Sequence, residues 1–267
     1  TLPPGLGDTE SALSLDGPFR ATDGDTQRID VSGFAEYRYG QRLRSTDLNQ
    51  QTSINEARLH LASEYPSDQW SIDAAVDFLY DATAASQRID LETGDGWLDL
   101  RRLNLLWTPA PDVDIRIGRQ ILTWGTGDLV FLNDLFPKDW NYFRGRDLEY
   151  IKAPSDAAKL SWFTDTANVD IVYTPRFDAD RFIDGEHQSF WNDVAGGLVG
   201  QDDVIEVDQP NDWFKDDEVA VRLYRNLQGV ELAVYVFDGF YKSPAGYDPV
   251  TDRFLFPRLR TFGGSLR

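Results

Sequence analysis

The sequence predicts an all-β protein, an antiparallel up-and-down transmembrane β-barrel. Three observations lead there. Ten segments alternate apolar and polar residues with a period of two. Helical periodicity is sustained nowhere; "RRLNLLW" fits a helix locally, but Pro109 and Pro111 leave it no room. The connections alternate strictly between long and short, a sorting that a soluble sandwich does not need and a barrel with one short-turn rim does.

Taken in order, residues 1–30 are rich in Gly, Pro, Asp and Thr without periodicity and read as a loosely ordered periplasmic lead-in. The barrel follows over 31–267, with strands expected at 32–44, 54–65, 70–81, 97–108, 113–124, 157–164, 167–176, 217–226, 230–241 and 258–267. Runs of this length suit the ~9–11 residues a tilted strand needs to cross a bilayer. Between them "PSDQ", "PAPD", "DT" and "LQG" form tight turns. "STDLNQQTS" and stretches of 15, 32, 40 and 16 residues form the opposite rim. The first strand must end at a long loop, which predicts a periplasmic N-terminus.

One face of each strand is apolar, as in Tyr37 and Tyr39, Leu59 and Leu61, Ile72 to Tyr80, and Leu232 to Val236. The other carries Glu36, Arg38, Arg42, Glu56, Arg58, His60, Asp73, Asp77, Lys159, Asp170, Glu218 and Arg222. The apolar face would meet lipid and the charged face a watery lumen. Tyr65, Trp70, Tyr80, Trp97, Trp107, Trp124 and Tyr173 sit near strand ends, where interfacial girdles belong. Register reasoning pairs Arg42 with Glu56 and Arg58 with Asp77 across neighbouring strands.

In "RIGRQILTWGTGD" the alternation breaks, because Arg119 falls in the lipid-facing phase. A charge there costs about 2–4 kcal/mol near the bilayer midplane. A bulge at Gly118 would turn Arg119, Ile121 and Thr123 inward and Gln120, Leu122 and Trp124 outward. A second slip at Arg101–Arg102 separates the phase of Leu98 and Leu100 from that of Leu103, Leu105 and Trp107. With the hairpin centred on "PAPD", Arg102 and Arg119 come nearly opposite each other. These two form the expected selectivity patch, supported by Arg58 and Arg116, with Glu56 and Asp77 among the pore-lining acids.

The 45 acidic and 26 basic residues leave a net charge of -19, which argues against nucleic-acid binding. Cysteine is absent, so no disulfide or thiolate metal site is expected. Methionine is absent too, consistent with a chain whose signal peptide is already removed. No window approaches 18 uninterrupted apolar residues, so no transmembrane helix is expected.

"DIRIGRQILTWGTGDLVFLNDLFPKDW" resembles the "GRQ…WG" signature, at 118–125 here, of two groups of Gram-negative outer-membrane barrels. One is the alginate-export family and the other a widespread porin-like group. The close match spans 113 to about 160. The resemblance implies a barrel larger than ten strands, so these residues are expected to be part of a longer wall. It also implies an arginine-rich lumen, whereas the inward face here mixes arginines with Glu36, Glu56, Asp73, Asp77 and Asp170. That mixture argues against a polyanion conduit.

The loop 125–156 is unusually aromatic, and Phe131, Phe136, Trp140 and Tyr142 are expected to form a constriction in the lumen or on the rim. The carboxylates of 177–216 lack EF-hand spacing and read as a solvated acidic loop, with no metal expected. His187 and Ser189 are too close in sequence to be oriented as two members of a triad, so no enzyme is expected. No cofactor motif is present. The expectation is a bacterial outer-membrane channel for passive transport of small polar or anionic solutes, in contact with bilayer and lipopolysaccharide. The rival is a non-conducting barrel that docks a lipoprotein, secretion or transport partner through its long loops.

Overall fold

A computed structural model describes residues 29–44, 46–124, 134–201 and 203–267. Residues 1–28 of the expected lead-in 1–30 and the expected constriction residue Phe131 lie outside these described residues, and Asp30 already belongs to the first strand.

Ten strands form one antiparallel sheet in which each pairs with the next wall strand along the chain. They are β1 (Asp30–Gln41), β2 (Thr52–Pro66), β3 (Trp70–Asp81), β4 (Leu98–Ala110), β5 (Val113–Gln120), β6 (Ser155–Trp162), β7 (Asn168–Thr174), β11 (Glu218–Leu227), β12 (Val230–Phe240) and β15 (Arg258–Leu266). The sheet is open, since β1 and β15 do not pair with each other. Smaller strands sit inside the long connections. β8 (Phe190–Asn192) and β9 (Gly197–Val199) make a hairpin, and β10 (Val207–Asp208), β13 (Gly246–Asp248) and β14 (Arg253–Leu255) make a three-stranded patch. That patch ties the loop before β11 to the loop before β15.

Loop length sorts by rim as expected. Short turns occupy 67–69, 111–112, 163–167 and 228–229, and long connections occupy 42–51, 82–97, 121–154, 175–217 and 241–257. Nine of the ten wall strands fall close to their expected positions. The exception is β5, which stops at Gln120 instead of running to Trp124.

Burial is inverted relative to a soluble sheet. On the inner face Asp77 and Glu56 are 0% and 1% exposed, while on the outer face Tyr37 and Tyr80 are 64% and 61% exposed. Leu59, Phe78, Leu103, Leu105, Ile171, Leu223, Val234 and Val236 share that exposed apolar face. Water would make such a surface unfavourable, and hydrocarbon makes it stable. Two aromatic levels bound it. Tyr65 stacks on Trp70 at 5.5 Å and Trp70 lies opposite Trp107 near the short turns; Phe78 stacks on Trp97 at 6.3 Å near the long loops. At ~3.3 Å per residue and a tilt near 40°, the run from Trp70 to Tyr80 spans roughly 25 Å of height, the height of a lipid-facing band.

The two phase slips have different structural causes. In β4 a bulge is present: Ala75 pairs with Arg102 and Val76 with Leu100, so Arg101 is the extra residue and turns inward. Around Gly118 the register runs on without a shift, Asn104 opposite Gly118 and Leu103 opposite Arg119, and the irregularity in this pairing lies at the hairpin end, between Trp107 and Ala110. The kink comes from Gly118 itself, at φ 119°, where a Cβ would lie 2.4 Å from the Leu103 carbonyl oxygen. Arg119 is buried as expected, but Gln120, Leu122 and Trp124 are not outward. The chain leaves the wall after Gln120. Leu122 and Trp124 then pack into an inner cluster with Ala157, Val172, Ala220, Ala233 and Tyr235. Hydrophobic burial against inward-facing small residues outweighs continuation of the strand, and it removes Trp124 from the girdle.

Candidate functional site: the inner face and its loops

The inner face of β1–β4 holds a chain of alternating charges. Arg58, on β2, sits 2.9 Å from Glu56 and 2.8 Å from Asp77, with Glu36 at 3.3 Å from its Nε. Arg38 bonds Glu36 at 2.7 Å and approaches Glu56 at 3.7 Å. The period-two pattern puts these side chains on one face, and antiparallel register brings opposite signs together. Arg58 meets Asp77 as expected. Arg42 does not meet Glu56: β1 ends at Gln41 after a register shift, and Arg42 instead donates to the carbonyls of Gln50 and His187.

The connection between β5 and β6 lies against this wall. It contains two 3-10 turns, Trp140–Arg144 and Leu148–Ile151, the first capped by the Asp139 carboxylate accepting from the Asn141 amide. Arg144 donates to Asp81 and Thr83, both at 2.7 Å, and Arg146 donates to Glu56 at 2.6 Å. The Tyr150 ring lies under Arg58 and Arg101, with centroid distances of 4.0 and 5.0 Å. Burial pushes the Tyr150 hydroxyl up to about 12, so it stays protonated beside these arginines. Burial opposes the charge on Arg146, but Glu56 and Asp139 overcome it and hold the guanidinium protonated.

Of the expected constriction aromatics, Phe136 is fully buried between Lys138 and Lys152, and the Trp140 indole approaches Asp180 at 3.4 Å. Tyr142 packs on Phe143 at 4.3 Å. The side chains that fasten the loop to the wall are its arginines. Spacing could not reveal this, because Arg146 and Glu56 are 90 residues apart.

A second latch is Arg181, from the connection after β7. Its guanidinium donates to both oxygens of Asp99 at 2.9 and 3.0 Å, to Asp139 at 3.3 Å, and through Nε to the Glu92 carbonyl at 3.1 Å. It thereby joins three long connections to β4. Burial works against its charge, and the two carboxylates more than compensate, raising its pKa.

The four expected selectivity arginines have different environments. Arg58 is committed to the network above. Arg119 donates to the Leu100 carbonyl on β4, to the Leu91 carbonyl in the β3–β4 connection and to Asp156 on β6 at 3.0 Å. Arg102 donates to Asp73 at 2.8 Å and remains partly exposed. Arg116 lines a cavity of about 100 Å³ on the inner face, together with Lys159 and Trp124. Arg102 and Arg119 are near each other but are not cross-strand partners, since Arg119 lies opposite Leu103.

Elsewhere, Asp178 is buried with one carboxylate oxygen unpartnered, and burial pushes it up to about 6. His187, whose pKa burial lowers to about 4, has Nε2 3.7 Å from Glu186, while Ser189 Oγ accepts from Asn49. Among the described residues no group of three or more His, Asp or Glu is arranged to hold a metal ion.

No family model matches the chain, and no curated protein matches it. Among solved structures it is similar to the high-pH structure of OprB from Pseudomonas putida, at 13% identity and a TM-score of 0.39. The similarity covers 88% of this chain and 60% of that one, so the chain spans less than two thirds of that protein's length.

Proposed function

We propose that this chain forms wall and inward loop of a bacterial outer-membrane channel for passive movement of small polar or anionic solutes. The observation that carries the reading is the inverted sheet. Its charged face is covered and ion-paired while its apolar face stands open between two aromatic levels. A loop fastened by Arg144 and Arg146 against one part of the inner face narrows the passage without closing it off as a packed core. Selectivity in this reading falls to the arginines whose guanidinium groups still face open space, Arg102 and Arg116, rather than to Arg58 and Arg119, which are held by fixed acceptors.

The test is single-channel recording in planar bilayers, with the reversal potential read under a salt gradient. Anion-biased steps whose bias falls in Arg102→Gln and Arg116→Gln support the reading. A silent protein, or a bias unchanged in both variants, refutes it. A second reading is favoured by one observation: Trp191, Val194 and Leu198 on the β8–β9 hairpin, with Trp213 and Phe214 nearby in sequence, stand exposed on the long-loop connections. A barrel that docks a lipoprotein or other partner there would show a stoichiometric complex and almost no conductance.

A further inference from the structure

We propose that the inner-face cavity lined by Trp124 is a binding subsite for short aliphatic monocarboxylates, of about two or three carbons. The proposal deepens the channel reading and rests on it for its biological role, although the site itself stands on separate geometry.

The sequence of β5 and β6 places two cations side by side there. Arg116 and Lys159 are direct cross-strand partners with their side chains on the inner face. Two like charges opposite each other are unfavourable unless an anion joins them. Neither has a carboxylate at hydrogen-bond distance among the described residues. Lys159 reaches Asp170 only at 4.0 Å, and that carboxylate already accepts from Ser161 at 2.6 Å and faces Arg222 at 3.9 Å. No ion pair or hydrogen bond occupies the Arg116 guanidinium among the described residues. Of the carboxylates that act on it, Asp73 is paired with Arg102 at 2.8 Å, while Asp114 accepts from the neutral Thr108 hydroxyl at 2.7 Å and lines the cavity, which leaves one carboxylate against the two cations. A planar guanidinium with its fork free is a bidentate carboxylate receptor, and the neighbouring ammonium supplies a third donor.

The rest of the lining sets the body of the ligand. Leu106, Ile121, Leu122, Val172 and the Trp124 indole supply an apolar part of the lining for the ligand's alkyl body, and Asp114, Gln120, Thr123 and Ser161 supply a polar part. The cavity is about 100 Å³. A 150 Å³ cavity accepts benzene, so this one holds roughly four heavy atoms, the size of acetate, with propionate one atom larger and reaching the open side. Its position also follows from the departure of the chain from the wall at Gln120. Had β5 continued, Leu122 and Trp124 would not roof the cation pair.

The experiment is titration calorimetry of the detergent-solubilised full chain with sodium propionate, with chloride and glucose as comparison ligands, alongside bilayer recording of the same preparations. Propionate should bind, glucose should not, and chloride should bind at least tenfold more weakly. Arg116→Gln and Lys159→Gln should each weaken propionate binding by about tenfold or more, as loss of a charged hydrogen-bond partner implies. Arg116→Lys should fall between wild type and Arg116→Gln, because charge survives and the bidentate fork does not. No propionate binding by wild type, or chloride binding as tightly, overturns the proposal, as does an unaltered affinity in both Gln variants. If propionate binds and its binding depends on Arg116 while no conductance is seen, the subsite stands and the channel reading fails. Conductance without propionate binding upholds the channel and overturns the subsite.

Discussion

Replacing Arg181 with leucine is expected to release the loop between β5 and β6 from the wall while leaving the strands paired. Arg181 is almost completely buried and donates to Asp99 twice and to Asp139 once. Without it, Asp99 keeps only Arg101 at 3.5 Å, and Asp139 keeps Arg146 at 3.6 Å. Removing one partner of a buried ion pair costs about 3–5 kcal/mol, because the remaining charge is left uncompensated. At about 1.4 kcal/mol per tenfold, local opening should become roughly two to three and a half orders of magnitude more frequent. Hydrogen exchange by mass spectrometry reads this in the protein reconstituted in nanodiscs. The reporting amides are Asp139 to the Ile151 carbonyl, Trp140 to the Arg181 carbonyl, and Ala153 to the Pro137 carbonyl. Peptides from β6 and β7 serve as the internal control for an intact wall. The combined change Asp99→Asn with Arg181→Leu should recover much of the protection, since the orphaned charge is removed as well. Wild-type exchange over 137–153 in Arg181→Leu would refute the latch, and so would a double variant that exchanges as fast as the single one.

Three further outcomes follow from the geometry. Asp178 has its pKa raised to about 6 by burial, above an unfolded value near 3.9. The folded state therefore holds the extra proton, so stability is greatest at low pH and falls as pH rises from about 4 through 6. Asp178→Asn should flatten that slope and gain up to ~3 kcal/mol at pH 8, read from urea-unfolding midpoints across pH; an unchanged slope would show that the carboxyl is solvated. Gly118→Ala forces a Cβ into the Leu103 carbonyl at a φ of 119° and should destabilise folding by about 2 kcal/mol or more, measured by the same titration. Val236→Arg places a charge on the exposed apolar face. In a lipid-facing wall it should cost about 2–4 kcal/mol near the midplane in vesicles, whereas a water-facing sheet would tolerate it.

The strands and their faces were legible in the sequence for a simple reason. A strand repeats every two residues, so Glu56, Arg58 and His60 must share one face once any of them does, and Leu59 and Leu61 must share the other. Loop lengths likewise follow from chain order alone, which is why the two rims could be told apart. The slip at Arg101–Arg102 was visible as a change of phase, and the structure resolves it as a bulge. The slip at Gly118 was also visible, but not its form. Periodicity registers that a side chain has changed sides, not whether an inserted residue or a left-handed glycine turned it.

What only the tertiary structure decided lies where the chain is not periodic. The latches Arg144, Arg146 and Arg181 come from loops and find Asp81, Glu56 and Asp99 at separations of 63, 90 and 82 residues. Whether Arg119 is available or buried depends on the Leu91 carbonyl of another loop, and the Arg116 guanidinium lacks Asp73 as a direct partner because Arg102 has taken it. Trp124 looked like a girdle residue by position in the sequence and became the roof of a cavity because Val172 and Ala220 offered it an inner apolar bed. Local alternation is dictated by backbone geometry within a few residues, but the fate of each charge depends on which distant groups compete for it, and that competition exists only once the loops have packed against the sheet.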